Sequence, residues 1–194
     1  MQIDKKPLTI RKATIEDAEL ILEFIKALAL YEKLENDVSA NKNLILKNLF
    51  GENTKAYCLI AEYENEAAGF AIYFYNFSTF LAKPGLYLED LFVKPEFRAK
   101  GIGKALIKEL AKIAIEEDLG RIEWWVLDWN TPSIEFYKSL GAIAMDEWTV
   151  FRVTADKFKS LACYTQSMFI NKICSICKKS LIGFRLENLL PNDS

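Results

Sequence analysis

Apolar residues recur at every second position in some stretches of this chain and at every third or fourth in others. The switches between the two periods mark out its elements. Leu8-Thr9-Ile10-Arg11 alternates and predicts a short first strand. Thr14 followed by Asp17 predicts a helix cap, after which Ala18, Ile21, Leu22, Ile25, Leu28 and Ala29 share one helical face. That helix ends near Tyr31-Glu32-Lys33. Ser39 opens a second helix through Leu44, Ile45 and Leu49, with Gly51 as its stop. Residues 56–63 and 69–77 read as antiparallel strands about a Glu64-Asn65-Glu66 turn. Residues 78–85 read as a loop with Lys83-Pro84-Gly85 as its turn.

The stretch at 86–112 organises the rest. Leu86-Tyr87-Leu88 and Leu91-Phe92-Val93 predict a mostly buried strand, which Pro95 ends because it cannot donate to a ladder. A helix follows from Gly101-Ile102-Gly103, with Ile102, Ala105, Leu106, Leu110, Ile113 and Ala114 on its apolar face. Residues 121–129 read as a further strand around Trp124, Trp125 and Val126. Residues 130–140 read as a short helix with Pro132 in its first turn. Residues 142–145 and 148–153 suggest a final strand pair, and 155–161 a closing helix. This order predicts an α/β fold, a mixed sheet with helices on both faces.

Composition narrows the function. The chain has 194 residues, 51% of them apolar, enough for one packed domain. A net charge of −2 gives no electrostatic case for nucleic acid. No apolar run is long enough to span a bilayer and the N-terminus lacks a signal-peptide core, so the expectation is no membrane and a cytoplasmic location. The four cysteines are expected to be reduced thiols. Cys174-Ser175-Ile176-Cys177 has the spacing of half a zinc site, but only Cys163 and Cys58 remain as partners, and no metal is expected. Histidine is absent, which excludes histidine triads, histidine-bound metals and an imidazole base. Carboxylates, tyrosine, lysine and cysteine are left for proton transfer.

Arg98-Ala99-Lys100-Gly101-Ile102-Gly103, followed by Lys104, joins strand to helix. The first N–H groups of a helix lack intrahelical partners and carry partial positive charge. Glycines let an anion approach that backbone, and the basic side chains add full charge, so the junction is a candidate phosphate cradle. An ordinary helix start, with glycines for close packing, would read the same. The spacing fails as a P-loop and, with Leu106 at the third small position, as a dinucleotide fingerprint. Glu89 and Asp90 are adjacent acids in an apolar strand, where each needs a partner or a task.

The R-x-x-G-x-G junction, Leu86-Tyr87-Leu88-Glu89-Asp90, and Asp128-Trp129-Asn130 with Ser133 and Phe136-Tyr137 occur here in one order. Together they resemble the GNAT acetyltransferase superfamily, and within it the spermidine/spermine and thialysine N-acetyltransferase branch. The resemblance runs from about residue 8 to 161. It implies a GNAT domain over 1–162, with a mostly antiparallel sheet, and leaves 163–194 as a tail of unassigned role. It implies acetyl-CoA as co-substrate, held by Arg98, Ala99, Lys100, Gly101, Ile102, Gly103 and Lys104, with Asn130 and Ser133 on its amide arm or phosphate. A kink in the central strand would leave a slot lined by Leu91 and Phe92, with the Val93 N–H aimed at the acetyl oxygen. It implies Glu89 as a water-mediated base and Tyr137 as the acid. Tyr31, Glu32, Glu89 and Asp128 would contact a primary amine on a small diamine, polyamine or lysine-like substrate. A homodimer is implied by resemblance alone. A catalytically idle acyl-CoA sensor or partner-docking module, and a protein or peptide N-acetyltransferase, remain as alternative readings.

Overall fold

A computed structural model describes residues 7–162. Five strands form one sheet in chain order: β1 (Leu8–Lys12), β2 (Tyr57–Tyr63), β3 (Glu66–Ser78), β4 (Lys83–Val93) and β5 (Ile122–Trp124). The first four are antiparallel and joined in sequence, whereas β5 lies parallel to β4 after a crossover through helix α3 (Ile102–Glu116). Helices α1 (Ala18–Glu32) and α2 (Lys42–Leu49) connect β1 to β2, and α4 (Thr131–Ser139) and α5 (Ala155–Ala162) follow β5. The fold is therefore α/β, with a mixed, mostly antiparallel sheet between helices.

Each face of the sheet carries its own apolar layer. On one, Ile102, Leu106, Leu110 and Ile113 of α3 pack on Leu59, Ala61, Ala71, Tyr73, Leu86 and Leu88. On the other, Ala18, Ile21, Leu22 and Phe24 of α1 pack on Cys58, Ile60, Phe70, Ile72 and Phe92. Phe24 is the centre of this second layer, stacked on Phe70 at 5.1 Å and edge-on to Phe92 at 6.3 Å. Gly69 lets β3 and β4 close up, because a Cβ there would lie 2.5 Å from Phe92 O. Arg11 ties the entry to α1 to the sheet, binding Asp17 at 2.6 and 2.8 Å and Glu62 at 2.7 Å.

Several boundaries differ from the sequence reading. The second helix is capped by Asn41, whose side chain accepts the Leu44 N–H, and not by Ser39. Lys83-Pro84-Gly85 opens β4 instead of forming the turn, so the reversal falls on residues 79–82, where Ala82 takes φ 50°. β5 keeps only three residues of the expected 121–129 strand. Residues 142–153 form no strand, although their apolar alternation is clear: Ile143, Trp148 and Phe151 are solvent-exposed. Strand propensity describes a fit to a half-buried pleat, and no neighbouring strand supplies that pleat to 142–153 among the described residues. The tail from Cys163, with its paired cysteines, lies outside the described residues. The chain divides into two compact units after Phe136: the first contains the whole sheet with α1 to α3, the second begins at Tyr137.

Candidate active site

β4 is interrupted at its middle. Ile72 of β3 faces Asp90 while the next residue, Tyr73, faces Leu88, so Glu89 is an extra residue with no partner, a β-bulge. The bulge resets the alternation of the strand. Leu86 and Leu88 face the α3 layer, and beyond Glu89 it is Leu91 and Val93 that pack there, while Phe92 turns to the α1 layer. Pairing of β4 with β5 covers only Leu86 to Leu88, so among the described residues no strand lies beside the outer edge of β4 from Glu89 onward. The Lys94 N–H bonds to Ala68 O on β3 at 2.9 Å. Main-chain N–H groups alternate sides along a strand, which turns the Val93 N–H to the open edge. Val93 O is on that edge too, where it accepts Arg98 Nε at 3.1 Å.

The open edge leads into the start of α3. Ala105 is the first helical residue to bond back, to Gly101 O at 3.0 Å, so the N–H groups of Ile102, Gly103 and Lys104 have no intrahelical acceptor. Gly101 precedes them with φ 79°, and a Cβ built on it would meet nothing within 4 Å. Ala99 also has φ 60°, a conformation that an L-residue with a side chain adopts at a cost of ~1 kcal/mol. Left-handed residues in such a loop turn successive N–H groups toward one point, the geometry of an anion nest. The Arg98 guanidinium lies 4.6 Å from the Tyr31 ring, and Lys100 Nζ lies 4.7 Å from Tyr63 and 5.0 Å from Phe97. The exposed helix start, the left-handed loop and the neighbouring Arg98 and Lys100 fit a pyrophosphate, and the open β4 edge fits an amide-bearing arm.

Acidic groups collect on the other side of the bulge. Asp90 faces the α1 layer beside Ile72, and its carboxyl is pushed up to about 6, chiefly by burial and then by the charges of Glu89 and Glu32. Glu32, at the C-terminal end of α1, is also raised by burial. Glu89 itself is exposed at the bulge, and Asp128 is exposed beyond β5. Tyr31 donates its hydroxyl to Asn130 Oδ1 at 3.1 Å, and its ring lies 5.9 Å from Trp129. Asn130 is buried and caps α4, its Oδ1 accepting the Ser133 N–H at 3.4 Å.

The sequence-picked residues thus gather in three places: Leu91 to Lys104 along the open edge and helix start, Glu89 at the bulge, and Tyr31, Glu32, Asn130 and Ser133 where α1 meets the start of α4. Phe92 sends its ring into the α1-side core, away from the edge. Tyr137 is on α4 and opens the second compact unit. Asp90 is the acid to which the sequence reading assigns no role. Its signal in the sequence is a second acid in an apolar strand, and simple alternation does not say which of the two acids turns to the α1 layer.

A family model, Acetyltransferase (GNAT) family, matches residues 21–142, a span holding the bulge, the glycine-opened helix and Asn130. The chain belongs to the GNAT acetyltransferase family. This GNAT chain is 36% identical over 164 residues to thialysine N-epsilon-acetyltransferase of Sus scrofa, a match covering 79% of the chain and 96% of that protein. It is 32% identical over 163 residues to spermidine/spermine N(1)-acetyltransferase-like protein 1 of Homo sapiens, covering 79% of the chain and 23% of that protein. Among solved structures it resembles an integron cassette protein from the mobile metagenome of V. cholerae, with TM-score 0.68 and 28% identity over 81% of this chain and 99% of that one. These matches make the protein an acetyltransferase of the spermidine/spermine and thialysine branch. No helix among the described residues is long and apolar enough to cross a membrane.

Proposed function

We propose that the protein transfers the acetyl group of acetyl-CoA to a primary amine of a small diamine, polyamine or lysine-like molecule, by direct attack. The observation that carries this reading is the continuity between the unpaired β4 edge and the start of α3. One offers main-chain amides to a pantetheine arm, the other offers N–H groups and cations to a pyrophosphate. Arg98, Ala99, Lys100, Gly101, Ile102, Gly103 and Lys104 hold the phosphates, and Leu91 and Phe92 contribute main chain to the arm. Asn130 and Ser133 contact the donor from the start of α4.

In the transfer, the amine nitrogen bonds to the thioester carbon, the C–S bond breaks, and the sulfur leaves as a thiolate. Negative charge builds on the carbonyl oxygen, where the Val93 N–H is the donor; one such donor is typically worth ~3 kcal/mol of barrier. An alkylammonium has a pKa near ~10 and must first lose a proton. Glu89 receives it, through water. Asp90 is the second candidate, because a carboxyl near 6 is better matched to that task than an ordinary one. Tyr137 returns a proton to the thiolate. Tyr31, Glu32 and Asp128 contact the substrate with Glu89. Acidic side chains around the bulge suit a cation, and one named relative is a thialysine N-epsilon-acetyltransferase. The reading extends to a homodimer acting in the cytoplasm, which sedimentation and fractionation would test.

The decisive experiment mixes the protein with acetyl-CoA and a panel of lysine, ornithine, putrescine, cadaverine, spermidine and a lysine peptide, and follows CoA release. Turnover with a small amine is expected, and Tyr137→Phe should lower kcat with little change in KM. Tight acetyl-CoA binding without turnover on any amine would replace the enzyme by an acyl-CoA sensor.

A further inference from the structure

One carbonyl at the open edge of β4 is claimed twice. Phe92 and Lys94 turn their main-chain groups to β3, with the Lys94 N–H on Ala68 O at 2.9 Å, so Leu91 and Val93 turn theirs outward. An amide-bearing arm lying along that edge would donate to Leu91 O and Val93 O. Arg98 already donates Nε to Val93 O at 3.1 Å. Its guanidinium then rests on Tyr31, 4.6 Å from the ring, with the Phe92 ring 5.9 Å away. A side chain in this pose crosses the line the arm would follow. The pose and an arm bonded to Val93 O exclude each other.

The forces holding Arg98 there are modest. Arg98 is exposed and Tyr31 is half-buried. The acceptor is a neutral carbonyl, and a guanidinium over a half-open ring gains little in water. Charge-assisted bonds to phosphate are roughly twice as strong as neutral ones, and the planar fork of arginine matches phosphate in bidentate geometry. Arg98 also precedes, in one short loop, the N–H groups of Ile102, Gly103 and Lys104 that lack intrahelical acceptors. A diphosphate at that helix start gives Arg98 a better partner than the one it leaves. A thioester with the same arm and no diphosphate gives it none, and must displace it unaided. Tyr31 is fixed from its other side, by Asn130 Oδ1 at 3.1 Å and Trp129 at 5.9 Å, so the shelf stays in place when the guanidinium leaves.

We propose that Arg98 is a gate on the donor slot: held on Val93 O and Tyr31, it yields to a donor that carries a diphosphate, so the protein admits coenzyme A thioesters and discriminates against pantetheine thioesters that lack one. This rests on the acetyl-transfer reading above and deepens it on the donor side.

The test measures binding to the full-length protein, of coenzyme A by calorimetry and of pantetheine by NMR titration, so no acceptor amine is needed. Arg98→Ala should weaken coenzyme A by ~tenfold or more, through loss of charge-assisted bonds. The same variant should tighten pantetheine by about two- to fivefold, because the competing side chain is gone. A residue that only braced the loop would weaken both. Tyr31→Leu removes the shelf and should tighten coenzyme A by about two- to fivefold. That gain should vanish in the Arg98→Ala background, which a double-mutant cycle reads directly. A thermal melt monitors folding of each variant. Pantetheine affinity that falls, stays level or is undetectable in Arg98→Ala overturns the gate and leaves acetyl transfer standing. So does coenzyme A binding that a folded Tyr31→Leu variant weakens. Failure of coenzyme A to bind the unaltered protein overturns both.

Discussion

The Tyr31 hydroxyl donates to Asn130 Oδ1 across 99 residues of chain, at 3.1 Å. The same oxygen caps α4 through the Ser133 N–H, so the end of α1 and the start of α4 are held by one acceptor. Tyr31→Phe should cost about 1 kcal/mol of stability, the usual worth of one such bond. If Tyr31 also positions substrate, the amine KM should rise several-fold while the acetyl-CoA KM moves less. Steady-state kinetics with both substrates varied would separate the two effects, and equal changes in both would assign Tyr31 to packing alone.

Asp90 gives stability an unusual pH dependence. Its carboxyl is raised to about 6 in the fold and returns to about 4 when the chain unfolds. Between those values the folded state holds the extra proton, so its contribution to stability is present below pH ~4 and is lost as pH rises through ~6. Asp90→Asn should therefore melt higher than the wild type at pH 7.5, by on the order of 1–2 kcal/mol, with no gain near pH 4. If Asp90 takes the substrate proton, the same variant should lose the rise in kcat/KM through pH 6. Glu89→Gln is the control, and whichever variant abolishes that limb identifies the base.

The Arg11–Asp17 pair acts in the opposite sense. Arg11 holds the Asp17 carboxyl down at about 2, with the Thr14 backbone N–H adding to it. Stability from this pair is complete above pH ~4 and is lost as pH falls through ~2. Arg11→Ala should lower stability at pH 7 by ~2 kcal/mol, because it leaves a nearly buried carboxylate without its partner. Urea titrations at pH 7 and pH 3 should show the deficit shrinking with acid.

Gly103 separates folding from binding. A Cβ there would lie 3.7 Å from Phe136 Cζ and 3.8 Å from Leu91 Cδ2, ordinary contacts. Gly103→Ala should thus fold normally and gain ~0.5–1 kcal/mol of helix stability. It should nevertheless weaken acetyl-CoA binding at least tenfold, since the methyl group occupies the approach to the free N–H groups. Calorimetric titration with acetyl-CoA checks this, and unchanged affinity would move the phosphate site away from the α3 start.

Much of this was legible in the chain itself. The two periodicities located β1 to β4 and α1 to α3, because each buries one face along its length. The Arg98–Lys104 run was recognisable because glycines, cations and a helix start coincide within a few residues. Phe24 stands three residues after Ile21, at helical spacing, but its place as the centre of that layer depends on its stacking on Phe70, which no local pattern specifies.

Amino-acid order alone determined the type of fold, the family and the position of the anion cradle, because all three depend on local spacing along one strand and one helix. The tertiary structure decided which acid turns to the α1 layer and where β4 parts from β5. Those depend on one unpaired residue, Glu89, which resets the alternation of β4, and a bulge is a property of two strands in register that neither strand carries by itself.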